Sequence, residues 1–179
     1  MHMKKMINMG CGKRNFGKNW IHIDKANYEH IDEKNIFNFS YNNVDLIYAS
    51  HLISYFDLST TTDLLTYWKS KLKKNGILRL AVPDFKIISK LYLEGNSLKK
   101  FIGPLYGRME LNEEKIFHKF CYDEEILSEL LEKIGFKNIR RWDHNLVCHG
   151  NFDDHSQAYL PHMDKENGTL ISLNLECDN

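Results

Sequence analysis

The sequence predicts a doubly wound α/β sheet, and three observations carry that expectation. Short apolar runs alternate with amphipathic helical stretches along most of the chain. The first apolar run, Lys5 to Met9, breaks into a loop that holds Gly10 and Gly12, and the second, Trp20 to Asp24, ends on an acid. The length of 179 residues suits one core, so 1–179 reads as a single domain with one site.

The elements follow in order. Only about ten residues separate the first two strands, which leaves room for a turn or two of helix between them. Val44 to Ser50 and Gly76 to Val82, closed by Pro83, are β-rich runs. Between them Thr61 to Leu72 sets Leu64, Leu65, Trp68 and Leu72 on one helical face, with Asn75-Gly76 as a stop signal. Strand, helix, strand in that order implies a parallel, right-handed crossover. A further helix is expected from Phe85 to about Glu94, and Gly95 to Lys119 shows no clear pattern. Asp123 to Ile134 is the best-marked helix, capped by Asp123, striped by Ile126, Leu127, Leu130, Leu131 and Ile134, and stopped by Gly135. Asn138 to Trp142 and Thr169 to Glu176 read as strands on either side of a long polar loop, Asp143 to Gly168.

Composition narrows the function classes. Lys plus Arg and Asp plus Glu both number 24, so no positive field draws a nucleic-acid backbone. The basic run Lys69 to Lys74 ends a predicted helix, where cations complement the helix dipole. Cys11, Cys121, Cys148 and Cys177 form no CxxC pair, which argues against a zinc site or a disulfide framework and fits a reduced, cytoplasmic compartment. No stretch has the length of a signal peptide or a membrane span, so a membrane partner is not expected.

In doubly wound sheets the ligand sits beyond the carboxyl ends of the strands, and the loop after the first strand meets it. Glycines there let a ligand approach the backbone. Asp24, at the end of the next strand, can accept both hydroxyl hydrogens of an adenosine ribose. A dinucleotide fingerprint would place a third glycine where Asn15 stands, so a nucleoside cofactor fits better than a nicotinamide dinucleotide.

Taken together, Asn8-Met9-Gly10-Cys11-Gly12, Trp20-Ile21-His22-Ile23-Asp24, Asp45 to His51, Asn75 to Phe85, Gly135-Phe136 and Leu170 to Glu176 resemble the class I S-adenosylmethionine (SAM)-dependent methyltransferases, above all short bacterial-type members. The likeness runs from Met6 to Glu176. It implies a Rossmann-like methyltransferase sheet, mostly parallel with an antiparallel last strand, and SAM as cofactor. By the same resemblance Gly10, Cys11 and Gly12 line the methionine moiety, Asp24 holds the ribose, and Asp32, with Glu33 as second choice, lies near the adenine. Ala49, Ser50 and His51 would face the methionine, and Asn8 replaces the acid that many members carry. Relatives often read Glu-His where this chain has Ser54-Tyr55, so no role transfers to that pair.

Methyl transfer from a sulfonium needs an acceptor held in line and, for a hydroxyl, a base to take its proton. Histidine suits that task. His51, directly after the third predicted strand, is the first choice, with loop orientation as the alternative. His118-Lys119 resembles a His-Lys pair of related short members, which makes His118 a second candidate and both residues candidates for substrate contact, together with Tyr55. Asp84 would point into the same cleft unless it only caps the helix after it. The polar loop carries His144, His149, Asp153, Asp154 and His155; without a recognised ligand spacing no metal is assigned, and Asp153 and Asp154 are taken as substrate contacts.

The Asn/Asp-Pro-Pro-aromatic signature of amino-methylating base-modifying enzymes is absent, since Ser50-His51-Leu52-Ile53 stands in its place, and no Pro-Cys pair offers a thiol nucleophile. The expected acceptor is therefore the oxygen or nitrogen of a small polar molecule. The resemblance adds a sugar or surface-polysaccharide precursor as a class. The rival expectation is a SAM-binding or regulatory module without catalysis, and nothing in the sequence sets an oligomeric state.

Overall fold

The structure, a computed structural model, describes residues 4–107, 109–111 and 114–179. Its centre is a six-stranded sheet built from β1 (Met6–Met9), β2 (Trp20–Ile23), β3 (Val44–Ser50), β4 (Leu72–Pro83), β7 (Lys137–Arg141) and β10 (Ser172–Asp178), in the order β2-β1-β3-β4-β10-β7. The pairs β1–β2, β1–β3 and β3–β4 are parallel, and β10 runs antiparallel to both its neighbours. The expected mostly parallel sheet with an antiparallel last strand is what the chain forms. Because β1 lies between β2 and β3, the strand order reverses beside its carboxyl end, which is where such sheets open a crevice for ligands.

Side chains alternate across the sheet. On one face Ile7, Met9, Ile23, Ile47, Ala49, Leu78, Leu80, Val82, Leu173 and Leu175 meet the apolar stripes of two helices, Leu64, Leu65 and Trp68 of α1 (Leu58–Lys71) and Leu127, Leu130 and Leu131 of α4 (Glu124–Ile134). Asp57 caps α1 by accepting from Thr60 N at 2.8 Å, which starts the helix three residues ahead of the expected Thr61. Asp123 caps α4 through Ile126 N at 2.9 Å, and Gly135 closes it at φ +94°.

Asn75-Gly76 does not end α1. The helix stops at Lys71, and Asn75, at φ +61°, and Gly76 lie within β4, where the pairing with β3 shifts register. A Cβ on Gly76 would sit 2.8 Å from Val44 O, so only glycine lets the two strands pass this closely. Gly95 to Lys119 contains α2's exit (α2 is Phe85–Leu93), the short α3 (Ile102–Tyr106) and a hairpin of β5 (Met109–Leu111) and β6 (Glu114–Ile116). The last expected strand divides at Ile171 into β9 (Thr169–Leu170), which pairs with β8 (Tyr159–Leu160), and β10.

The second face of the sheet is covered by aromatic side chains and by the polar loop after β7. Phe16, Trp20, Tyr48 and Trp142 pack together there, joined by Phe152 stacked on Phe16 at 4.6 Å between ring centres and by His149 at 4.2 Å from Tyr48. Polar groups pin the loop to the strands beneath it. Asp154 accepts from the buried Tyr48 hydroxyl, Ser156 O from Asn174 Nδ2 at 3.0 Å, and Leu80 O from Trp142 Nε1 at 3.0 Å. Arg79, over the Trp142 ring, pairs with Glu176 at 2.7 Å and donates to His149 Nε2 at 3.2 Å. A ring nitrogen that accepts from a guanidinium must be unprotonated.

Burial, helped by Arg79, holds the His149 pKa down to about 4, against 6.5 for a free imidazole. Between those values the unfolded chain binds a proton that the folded chain refuses, so stability rises with pH across the window and is lost as pH falls through it. About 3 kcal/mol is at stake from His149 alone. Urea midpoints measured from neutral pH down to about 4 should fall accordingly, and His149→Gln should flatten that slope; an unchanged slope in the variant would refute the assignment.

Candidate functional site

Two backbone turns meet at the carboxyl ends of β1 and β2. Gly10 N donates to Ile23 O at 2.8 Å, and Gly12 N donates to Asp24 Oδ2 at 2.8 Å, while Asp24 Oδ1 accepts from Ala26 N at 2.7 Å. The glycine loop and the carboxylate are thus immediate neighbours. Gly10 and Gly12 sit at φ +63° and +54°, a backbone that favours glycine at both, and Gly10 alone has a steric reason as well. A Cβ on Gly10 would come within 2.8 Å of the Leu52 side chain, whereas one on Gly12 would meet, apart from its chain neighbours, no atom of the described residues within 4 Å.

Gly10 and Asp24 line one wall of a cavity of about 540 Å³, and Tyr55, His118 and Lys119 line it too. The remaining lining comes from residues that sequence reasoning missed: Lys25 beside Asp24, Leu52 and Phe56 after β3, Ile36, and the β5–β6 hairpin with Phe117. Leu52 follows β3 directly and was accessible to inference; the hairpin segment has no periodic pattern to betray it. A second depression, about 620 Å³, runs over Phe85, Lys86, Lys90 and Leu93 and holds none of the expected site residues.

His118 is held firmly. Its ring lies edge-on to Tyr55 at 4.5 Å between centres, and it packs on Gly107, where any side chain would collide with the imidazole. Burial lowers its pKa, with the nearby Pro104 and Leu105 carbonyls opposing, so the ring is neutral at pH 7. Lys119 N, next along, donates to Ser54 O at 2.7 Å, which ties this segment to the turn after β3.

His51 takes a left-handed backbone, φ +52°, just past β3. Its Nε2 lies 3.3 Å from Ser172 Oγ and its ring 5.2 Å from that of His155, and it is not among the cavity-lining residues. Burial holds its pKa well below the usual value, and His155, His118 and Arg14 add to the effect. Ala49 is buried in the helix-covered core, and Ser50 marks the end of β3. Asn8 is buried in β1 with its Nδ2 lacking an acceptor among the described residues, an orphan donor in an interior where such groups are rare. Burial pushes the neighbouring Cys11 thiol up to about 12, so the sulfur stays protonated.

The other expected contacts are engaged within the protein. Asp32 accepts from His22 N at 2.7 Å, Glu33 from Ser40 N at 3.1 Å, and neither lines the cavity. Asp84 caps α2 through Ile87 N at 3.2 Å and faces Arg141 at 3.7 Å. Asp153 meets Lys165 at 3.2 Å, and Asp154 is buried against Tyr48 and accepts from Ser156 N at 2.8 Å. Asn15, in the place of a third glycine, caps Gly17 N at 2.8 Å. Among the described residues no three His, Cys, Asp or Glu side chains converge as metal ligands would, and no helix is long and apolar enough to cross a membrane.

No protein-family model matches the sequence, and no curated protein matches it either. Solved structures do resemble the fold. A SAM-dependent methyltransferase from Methanosarcina mazei superposes with a TM-score of 0.55 at 14% identity, covering 100% of this chain and 94% of the other. One from Archaeoglobus fulgidus gives 0.56 at 13%, with 98% and 86% covered. Human N-acetylserotonin methyltransferase in complex with SAM gives 0.57 at 12%, with 97% of this chain and 47% of the human one. Identities this low establish a shared fold, the Rossmann-like sheet of methyltransferases.

The two glycines make separable predictions. Gly10→Ala adds a clash to the positive φ and should cost more stability than Gly12→Ala, whose cost is limited to the backbone at roughly 1 kcal/mol. Denaturant midpoints of the two variants should therefore differ, and equal losses would refute the assignment of Leu52 as the reason for Gly10.

Proposed function

We propose that this chain is a SAM-dependent methyltransferase that transfers the methyl group to an oxygen, or a nitrogen, of a small polar acceptor. The observation that carries the reading is that Gly10 and Asp24 share a cavity with Tyr55, His118 and Lys119. One side of that cavity suits an adenosyl group and the other a polar acceptor.

The residues present fit the cofactor. Each Asp24 oxygen accepts one backbone N–H and keeps lone-pair capacity for a ribose hydroxyl. Gly12 leaves open space for close approach, and the loop containing Cys11 presents backbone to the methionine end. The orphan amide of Asn8 is a donor that the protein itself leaves unused. Bound SAM supplies an electrophilic methyl on a sulfonium, so the protein has to position the acceptor and remove its proton. His118, neutral at pH 7 and facing the cavity, is the base that the geometry favours over His51; Tyr55 and Lys119 orient the acceptor. We place the enzyme in the reducing cytoplasm, in keeping with four cysteines that all remain free thiols, and among acceptors the resemblance favours a sugar or surface-polysaccharide precursor.

Calorimetry should show saturable SAM binding, weakened about tenfold or more in Asp24→Ala by loss of hydrogen bonds to a charged acceptor; an absence of heat with the unaltered protein would end the proposal. His118→Gln should lower kcat about 100-fold or more while sparing SAM affinity, read as release of S-adenosylhomocysteine over a panel of polar acceptors. SAM binding without product from any acceptor would favour the rival reading, a non-catalytic SAM-binding module.

A further inference from the structure

Arg14 differs from the other described arginines. Arg79 holds Glu176 at 2.7 Å, Arg140 holds Glu176 at 2.8 Å and Arg141 holds Glu124 at 2.6 Å, but Arg14 meets no carboxylate among the described residues. Its Nε donates to Asp153 O at 3.1 Å, which anchors the guanidinium and leaves its two terminal amino groups without a protein acceptor among those residues. An oriented, unpaired guanidinium at the ligand edge of a sheet is poised for an oxyanion, which it can grip with two parallel hydrogen bonds.

Two imidazoles complete the cluster. His51 and His155 lie 5.2 Å apart between ring centres, and the Asp153 carbonyl that holds Arg14 is two positions before His155; burial lowers the pKa of both rings and Arg14 adds to it. Ser172 Oγ has Asn174 Oδ1 at 2.9 Å to receive its proton, so it accepts from His51 Nε2 at 3.3 Å and leaves His51 Nδ1 open. The other charged groups that bear on these rings are His118, Asp153 and Asp154. Asp153 is paired with Lys165, and Asp154 accepts from Tyr48 and Ser156 N; neither carboxylate forms an ion pair with Arg14.

We propose that Arg14, His51 and His155 form the subsite for an acidic group, a phosphate or a carboxylate, on the methyl acceptor. This rests on the methyl-transfer reading above and narrows its substrate class. None of the three residues lines the cavity that Gly10 shares with Asp24, but His118, which does line it, is close enough to bear electrostatically on His51 and to feel His155. The cofactor's own carboxylate is a poor occupant, because an ammonium and a sulfonium accompany it and the three groups of the cluster, Arg14, His51 and His155, are themselves cationic or protonatable. An acceptor anion has no such companion, and its charge favours protonation of both rings, which turns each into a further donor.

The test uses the intact protein with inorganic phosphate as probe. Nuclear magnetic resonance of the ring nitrogens should show phosphate raising the apparent pKa of His51 and His155 by about one unit or more, with acetate in place of phosphate separating a phosphorylated from a carboxylated acceptor. Arg14→Gln should abolish the response and Arg14→Lys should retain part of it, which separates loss of charge from loss of folding. Ring signals indifferent to both anions, alongside normal SAM binding, would overturn the subsite alone. Arg14→Gln that weakens SAM but spares 5′-methylthioadenosine, which lacks the carboxylate, would also overturn it by giving Arg14 to the cofactor. If the protein bound phosphate but not SAM, the methyl-transfer reading and the acceptor role would fall together.

Discussion

The pairing of β1 with β2 sets the level at which everything else at this site is built. Because the two strands are parallel and in register, with Met9 opposite Ile23, both end at the same height and their turns emerge side by side. Gly10 N closes on Ile23 O and Gly12 N on the Asp24 carboxylate, so the loop is held by the strand whose acid it accompanies. A slip of one residue would turn Asp24 to the other face of the sheet and leave the glycine loop without its partner. The cavity, the proposed base and the proposed anion subsite all take their positions relative to this pair of turns.

The connection between β1 and β2 is too short for a full crossover helix, and that shortness has a structural consequence. The face of the sheet that such a helix would cover is left to Phe16, Trp20, Tyr48 and Trp142, and the polar loop after β7 folds back over them. A loop has few backbone partners of its own, so side chains fix it: Asp154 on Tyr48, Ser156 on Asn174, His149 on Arg79. The histidine and carboxylate content of that loop, which in sequence suggests surface chemistry, is for His149 and Asp154 the means by which a layer without long helices is attached. The same folding back delivers Asp153 and His155 to the ligand edge, beside Arg14 and His51. One loop therefore both completes the fold and furnishes a charged cluster.

Periodicity along the chain is a local property, and the parts of the fold that depend on it were legible. The helices at 58–71 and 124–134, the parallel crossover from β3 to β4 and the adjacency of Gly10 to Asp24 follow from apolar spacing, capping residues and glycine stops. Legibility failed where contacts are remote. Asn75-Gly76 looks like a helix stop until β3 lies alongside and makes it a bulge in β4. The β5–β6 hairpin has no apolar period, and its place on the cavity wall comes from packing near Tyr55 and Leu52 rather than from its own residues. Among the histidines, sequence position put His51 first, while burial, orientation and access distinguish His118 at the cavity from His51 in the Arg14 cluster.

By itself, the sequence determined the kind of sheet, the glycine loop after its first strand and the acid beside that loop, because strand period, glycine conformation and a strand-end carboxylate are consequences of neighbouring residues. Only the tertiary structure decided which side chains face one another across the site. Arg14 and His155 are far apart in the chain and come together through the loop's return over the sheet, and a guanidinium without a carboxylate is recognisable only once every nearby carboxylate has been placed.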